Sequence, residues 1–238
     1  MWDGSFEKLA RQYRAVRYDA RKHGRSRSEE TTFAHFADLK ILMDDSKVNR
    51  AVIIGLSLDG KIAIDFALKC SERVNRLILV APGLSGYKFH GPENQAYDGK
   101  FRAAVESGDP EKMIETFMEA WTYGPRRRAE EVDPDVRDRI GSMARISLKT
   151  WNGQSKELVA SPPAITRLGD IKTPTLSIIG DIDIANIIEI VALLEKNIPH
   201  FEKVFIPGAA HMVNLEKPRE FERAVKNFLD AVYEKNPK

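Results

Sequence analysis

A serine, two aspartates and a histidine stand where together they could carry out acyl transfer. Ser57 lies in Gly55-Leu56-Ser57-Leu58-Asp59-Gly60, directly after the apolar, β-branched run Ala51-Val52-Ile53-Ile54. Beyond it Ile62, Ala63, Phe66, Ala67 and Cys70 recur at helical spacing. Strand, tight turn, helix is the setting in which Gly-x-Ser-x-Gly becomes a nucleophile elbow. The serine oxygen is then exposed at a strained apex and the next backbone N–H is free to bind an oxyanion. The match is imperfect, because Asp59 takes the second glycine position and the glycine follows at Gly60. A plainer account of Ser57 is a helix N-cap. A serine nucleophile needs a base within hydrogen-bond reach and a carboxylate to hold that base's tautomer. Asp181-Ile182-Asp183 follows the run Thr175–Gly180, and Gly208-Ala209-Ala210-His211 follows Lys203–Ile206. Both loops fall just past strands, on the sheet edge where a parallel sheet gathers its site. The resulting chain order is Ser57, Asp183 (or Asp181), His211, unlike that of chymotrypsin or subtilisin.

The elements that must position these residues alternate strand with helix. Strands are expected at Tyr13–Tyr18, Ala51–Gly55, Asn75–Ala81, Thr175–Gly180 and Lys203–Ile206. Helices are expected to end near Arg11, to span Thr31–Asp45 with Thr31 or Thr32 as cap, to follow Gly60, and to cover Ile184–Asn197 and Pro218–Tyr233. That alternation implies parallel βαβ units in an α/β domain with a covered sheet. From Leu84 to about Arg167 strand runs vanish and helical patterns take over, at Ala96–Ser107, Pro110–Tyr123, Asp133–Trp151 and Ser155–Ala160. The segment reads as a helical lid whose core is filled by Phe101, Met113, Phe117, Met118, Trp121, Ile140 and similar positions. The expected organisation is a core of residues 1–83 and 168–238 with a lid over 84–167.

Composition narrows the function classes. Formal charge is +2, from 37 basic and 35 acidic residues, and no basic stripe is interleaved with aromatics, so a nucleic-acid surface is not indicated. Arg126-Arg127-Arg128 is the densest basic run and reads as a solvated loop. A single cysteine, Cys70, excludes an internal disulfide and argues against a thiolate metal site. Its place on an apolar face reads as a buried thiol. Asp181 and Asp183 alone make a weak cation site. His23, His35, His90 and His200 read as structural or exposed. No apolar run approaches a membrane span, and the first residues do not resemble a targeting peptide, so the expected location is the cytoplasm.

The stretches YRAVRYDARKHGRS, GLSLDGKIAIDFAL, ERVNRLILVAPGLSGY, PTLSIIGDIDI and IPGAAHMVNLEKPREF, taken in order, resemble α/β-hydrolases of the lidded carboxylesterase and 3-oxoadipate enol-lactonase kind. The resemblance spans nearly the whole chain, with the lid its least diagnostic part. It implies an α/β-hydrolase fold, a mostly parallel sheet flanked by helices with a helical lid insertion. It also implies a serine hydrolase for small carboxylic esters or lactones that needs no cofactor. By the family's pattern the acid is the third residue after the glycine closing its strand, which is Asp183 rather than Asp181. Ser57 would then be the nucleophile, His211 the base and Leu58 N–H an oxyanion donor. The family starts with two or three further strands and a His-Gly loop that supplies a second donor. This sequence begins, by the same resemblance, in the helix after that loop. Losing one donor costs about 10²–10³ in rate. One missing strand would belong between Tyr13–Tyr18 and Ala51–Gly55, and an incomplete sheet favours association of copies through an exposed edge. Asp59, and Lys22 where the family has glycine, are the other departures. These departures support an alternative, a catalytically impaired hydrolase-fold protein serving as a binding or assembly module.

Overall fold

The computed structural model describes residues 1–29, 32–149 and 156–235. Helix α1 (Asp3–Ala10) is followed by a coil to residue 29, a short strand β1 (Thr32–Phe33) and helix α2 (His35–Asp45). Strand β2 (Ala51–Leu56), helix α3 (Leu58–Lys69) and strand β3 (Val74–Val80) form the first βαβ unit. Helices α4 (Gly91–Ser107), α5 (Pro110–Met118) and α6 (Pro134–Leu148) then precede strand β4 (Lys156–Glu157). Strand β5 (Thr175–Gly180), helix α7 (Ala185–Asn197), strand β6 (Phe201–Ile206), the short helix α8 (Val213–Glu216) and helix α9 (Pro218–Lys235) complete the chain.

The main sheet has the order β2-β3-β5-β6 and every pairing in it is parallel. Parallel strands covered on both faces read as near-continuous apolar runs, and the Leu77–Val80 stretch of β3 shows how the side chains divide. Leu77 and Leu79 point into a core shared with α2, α3 and α7, whereas Ile78 and Val80 point into a core shared with α9 and α1. All four are fully buried. Each such side chain contributes about 1.5–3 kcal/mol.

Several expected elements differ. Tyr13–Tyr18 forms no strand: it does not line up with the open edge of β2, which among the described residues pairs with β3 alone. Val16 and Tyr18 remain exposed in consequence. The helix expected from Thr31 begins at His35, and Thr32 pairs in β1 with Lys156 of β4. Thr31 itself lies outside the described residues. The helix expected over Ser155–Ala160 is replaced by β4, with Ser155 outside the described residues. The C-terminal part of the helix expected to reach Trp151 likewise lies outside them.

Helices α5 and α6 start where an aspartate precedes a proline. Asp109 accepts from the N–H groups of Glu111 and Lys112, and Asp133 accepts from that of Asp135. In both cases the proline at the first helical position has no N–H to leave unpaired. The helix expected to continue to Tyr123 changes pitch instead, and Glu119–Tyr123 forms a π turn.

Candidate active site

Ser57 stands between β2 and α3 with φ 55° and ψ −112°, a conformation that costs a non-glycine residue about 1–3 kcal/mol. Three backbone bonds hold it there. Ser57 N–H donates to Val80 O at 3.0 Å, while Ser57 O accepts from Lys61 N–H at 3.1 Å and from Gly83 N–H at 2.9 Å. The turn closes because α3 passes directly over Gly55: a Cβ at that residue would lie 2.4 Å from the Asp59 carbonyl carbon. Ser57 occupies the N-cap position, yet its side chain makes no capping bond. Capping therefore does not account for the serine. Leu58 N–H is the first amide of α3, with no carbonyl one turn earlier to receive it and the positive end of the helix dipole behind it.

The Asp59 side chain turns toward the N-terminal segment. Burial pushes its carboxyl up, and the facing Trp2 indole acts in the opposite sense. A carboxyl held up in this way carries less negative charge beside Ser57 than an ordinary aspartate would. Lys22 adopts φ 62°, the left-handed region where glycine is at ease, and is buried near the Phe33 ring.

The loops after β5 and β6 are brought together by Gly180. A Cβ there would lie 2.0 Å from Ala209 O, so only glycine lets the second loop cross the end of β5. Ile182 N–H then donates to Ala209 O at 3.2 Å. Asp181 and Asp183 separate into different tasks. Asp181 accepts the Gly208 N–H at 2.7 Å, tying loop to loop. Asp183 lies 3.0 Å from His211 Nδ1 through Oδ2, and its Oδ1 accepts the Ile184 N–H at 2.7 Å. Asp183 and His211 are each 1% exposed. A carboxylate can only accept, so the arrangement places the proton on Nδ1 and leaves Nε2 with its lone pair. His211 Nε2 is buried and has no hydrogen-bond partner among the described residues.

Trp121, in the π turn, packs on His211 with ring centroids 4.7 Å apart. It also lines a cavity of about 670 Å³ bounded by α4, α5, the Tyr123–Glu130 segment, Ile184 and Asn186. Neither Ser57 nor His211 lines that cavity, so Trp121 stands between it and the histidine. No cluster of three or more histidine, cysteine or acidic side chains suited to a metal occurs among the described residues. No helix among them is long and apolar enough to cross a membrane.

Residues 1–218 match the α/β-hydrolase fold family. The chain belongs to that family. A 2-hydroxy-6-oxononadienedioate/2-hydroxy-6-oxononatrienedioate hydrolase of Cupriavidus pinatubonensis is 26% identical over 202 residues, 80% of this chain and 66% of that one. A pimeloyl-[acyl-carrier protein] methyl ester esterase of Pectobacterium carotovorum is 24% identical over 97% of this chain and 89% of its own. Among solved structures, the enol-lactonase from Burkholderia xenovorans LB400 superposes with a TM-score of 0.75 at 21% identity, covering 96% of this chain and 85% of that chain. Relatives of this α/β-hydrolase thus include a hydrolase and an esterase, beside a putative 2-succinyl-6-hydroxy-2,4-cyclohexadiene-1-carboxylate synthase of Bacillus subtilis at 26% identity over 92% of this chain and 82% of its own, and an enol-lactonase shares its fold.

Two residues near the site carry no signal that sequence reasoning used. Arg127, expected in a solvated loop, is largely buried and pairs with Glu216 at 2.7 Å. Its neighbours Arg126 and Arg128 are exposed, as a solvated run requires. Glu216 ends α8 five residues after His211. Cys70 lies just past the end of α3 rather than on its face, and burial pushes its thiol up.

Proposed function

We propose that this α/β-hydrolase is a serine hydrolase that cleaves small carboxylic esters or lactones through an acyl-enzyme. The observation that carries the reading is the buried Asp183–His211 pair, whose Nε2 has no hydrogen-bond partner among the described residues and lies at the same sheet end as the Ser57 elbow. Ser57 Oγ attacks the acyl carbon as its proton passes to His211 Nε2. Asp183 holds the imidazole in the required tautomer and stabilises the imidazolium. Leu58 N–H, at the start of α3, donates to the developing oxyanion. The Oγ–C bond forms, the C–O bond to the leaving alcohol breaks, and His211 returns the proton to that alcohol. In a lactone the alcohol stays tethered to the acyl group. Water then attacks the acyl-enzyme, giving its proton to His211, and the carboxylic acid and free serine are restored. The methyl ester esterase among the relatives supports ester chemistry.

The test is hydrolysis of a panel of short-chain p-nitrophenyl esters and small lactones by the wild type and by Ser57→Ala. Turnover in the wild type, lost by about 10⁴-fold or more in Ser57→Ala, is the expected outcome. Equal turnover in both proteins rejects Ser57 as nucleophile. Absence of turnover in folded wild type favours the binding-module alternative, for which Asp59 beside the elbow is the supporting feature.

A further inference from the structure

The histidine loop and the helical segment between β3 and β5 are joined by one buried ion pair. All three guanidinium nitrogens of Arg127 are engaged. Nε donates to Tyr123 O and Nη2 to Thr122 O, both at 2.9 Å, while Nη1 lies 2.7 Å from Glu216 Oε2. The other Glu216 oxygen accepts the Ala210 N–H at 3.1 Å. The two side chains are 12% and 4% exposed. Burying such a pair rarely stabilises more than apolar side chains of the same volume would. Apolar side chains, however, could not bind three backbone groups at once. Those groups flank the histidine on both sides. Thr122 and Tyr123 end the π turn that lays Trp121 on the imidazole, and Ala210 immediately precedes His211. The planar fork of arginine suits two carbonyls and a carboxylate, which a lysine ammonium cannot reach together.

We propose that Arg127 and Glu216 are positioning residues for His211, a strut that fixes the imidazole by holding Trp121 on one side and the Ala210–His211 backbone on the other. The catalytic consequence rests on the serine-hydrolase reading, whereas the positioning does not. A misplacement of about 1 Å can cost on the order of 10²-fold in rate. The experiment follows p-nitrophenyl acetate turnover and the low-field Nδ1–H proton resonance of His211, assigned by its loss in His211→Asn. It uses wild type, Arg127→Lys and the paired variant Arg127→Met/Glu216→Leu. In Arg127→Lys, kcat falls about 10- to 100-fold with KM within about threefold of wild type, and the His211 resonance shifts or broadens. The paired variant leaves no unpaired charge but frees three backbone groups, so it folds with an unfolding temperature lowered by several degrees while kcat stays low. Wild-type kcat with an unmoved resonance, in either folded variant, overturns the proposal. Should Arg127→Lys fail to fold, the paired variant decides. Should the wild type turn over no ester, the resonance alone decides, so the two readings fail separately.

Discussion

At the β5–β6 end of the sheet the loops are locked together, and at the β2 end they are not. Every residue of β5 is buried between two neighbouring strands, and the loops that follow are cross-tied by Gly180, Asp181 and the Ile182–Ala209 bond. Strand β2 has one neighbour among the described residues and exposes Val52, and the segment that faces Asp59 at its end is α1 and the coil after it. That coil is fastened through α1. Arg17 pairs with Asp3 and lies over the Phe6 ring, and Trp2 packs on Phe221 and faces Asp59. The difference teaches that the Asp183–His211 pair, the proposed acid and base, is preorganised by the sheet itself, whereas the surroundings of Ser57, the proposed nucleophile, depend on a segment held from outside the sheet. Changes on the β5–β6 side should therefore strike catalysis or folding hard, and those on the β2 side should act gently and with pH.

The largest effect belongs to Asp183→Asn. It preserves shape, but its one oxygen stays on the Ile184 N–H and its NH2 faces Nδ1, which forces the other imidazole tautomer, and kcat should drop about 10⁴-fold with little change in unfolding temperature. A drop of less than about tenfold would show that the pair does not set the tautomer. Gly180→Ala places a Cβ against Ala209 O and should cost roughly 3 kcal/mol or more in denaturant unfolding. Near-wild-type stability there would mean that the two loops are looser than their contacts imply.

On the β2 side, Asp59→Asn should act through pH. Because burial raises the Asp59 carboxyl in the folded chain, the folded state holds that proton more tightly than the unfolded state does. Its contribution to stability is fullest below the unfolded range, near pH 4, and declines as pH rises through the folded value. Asp59→Asn removes the decline, so the variant should gain on the order of 1 kcal/mol at neutral pH and nothing near pH 4. Chemical denaturation at both pH values reads it, and a variant less stable at neutral pH would sink the assignment.

The strands were legible where a run is both apolar and β-branched, as in Ala51–Leu56, Val74–Val80 and Thr175–Gly180. Tyr13–Tyr18 shows the limit, since local alternation does not fix whether a segment is brought alongside a sheet edge, and this one does not pair with the open edge of β2. The two-residue β1–β4 ladder is too short to leave a periodic trace. The π turn at Glu119–Tyr123 was hidden because one extra residue in a turn leaves the local apolar pattern of an α-helix almost unchanged. At the site, the strand-end placement of Ser57, Asp183 and His211 could be read from order and punctuation. Arg127 could not, because its burial depends on a glutamate at the far end of the chain that no local pattern connects to it.

The central claim is that Ser57 is a nucleophile activated by His211, and covalent labelling tests it most directly. The protein is treated with a fluorophosphonate and the adduct located by peptide mass mapping. The account expects a single phosphonylated serine, Ser57, with labelling slowed by orders of magnitude in His211→Asn and absent in Ser57→Ala. A folded protein that never labels, or an adduct on another residue that persists in Ser57→Ala, would contradict it.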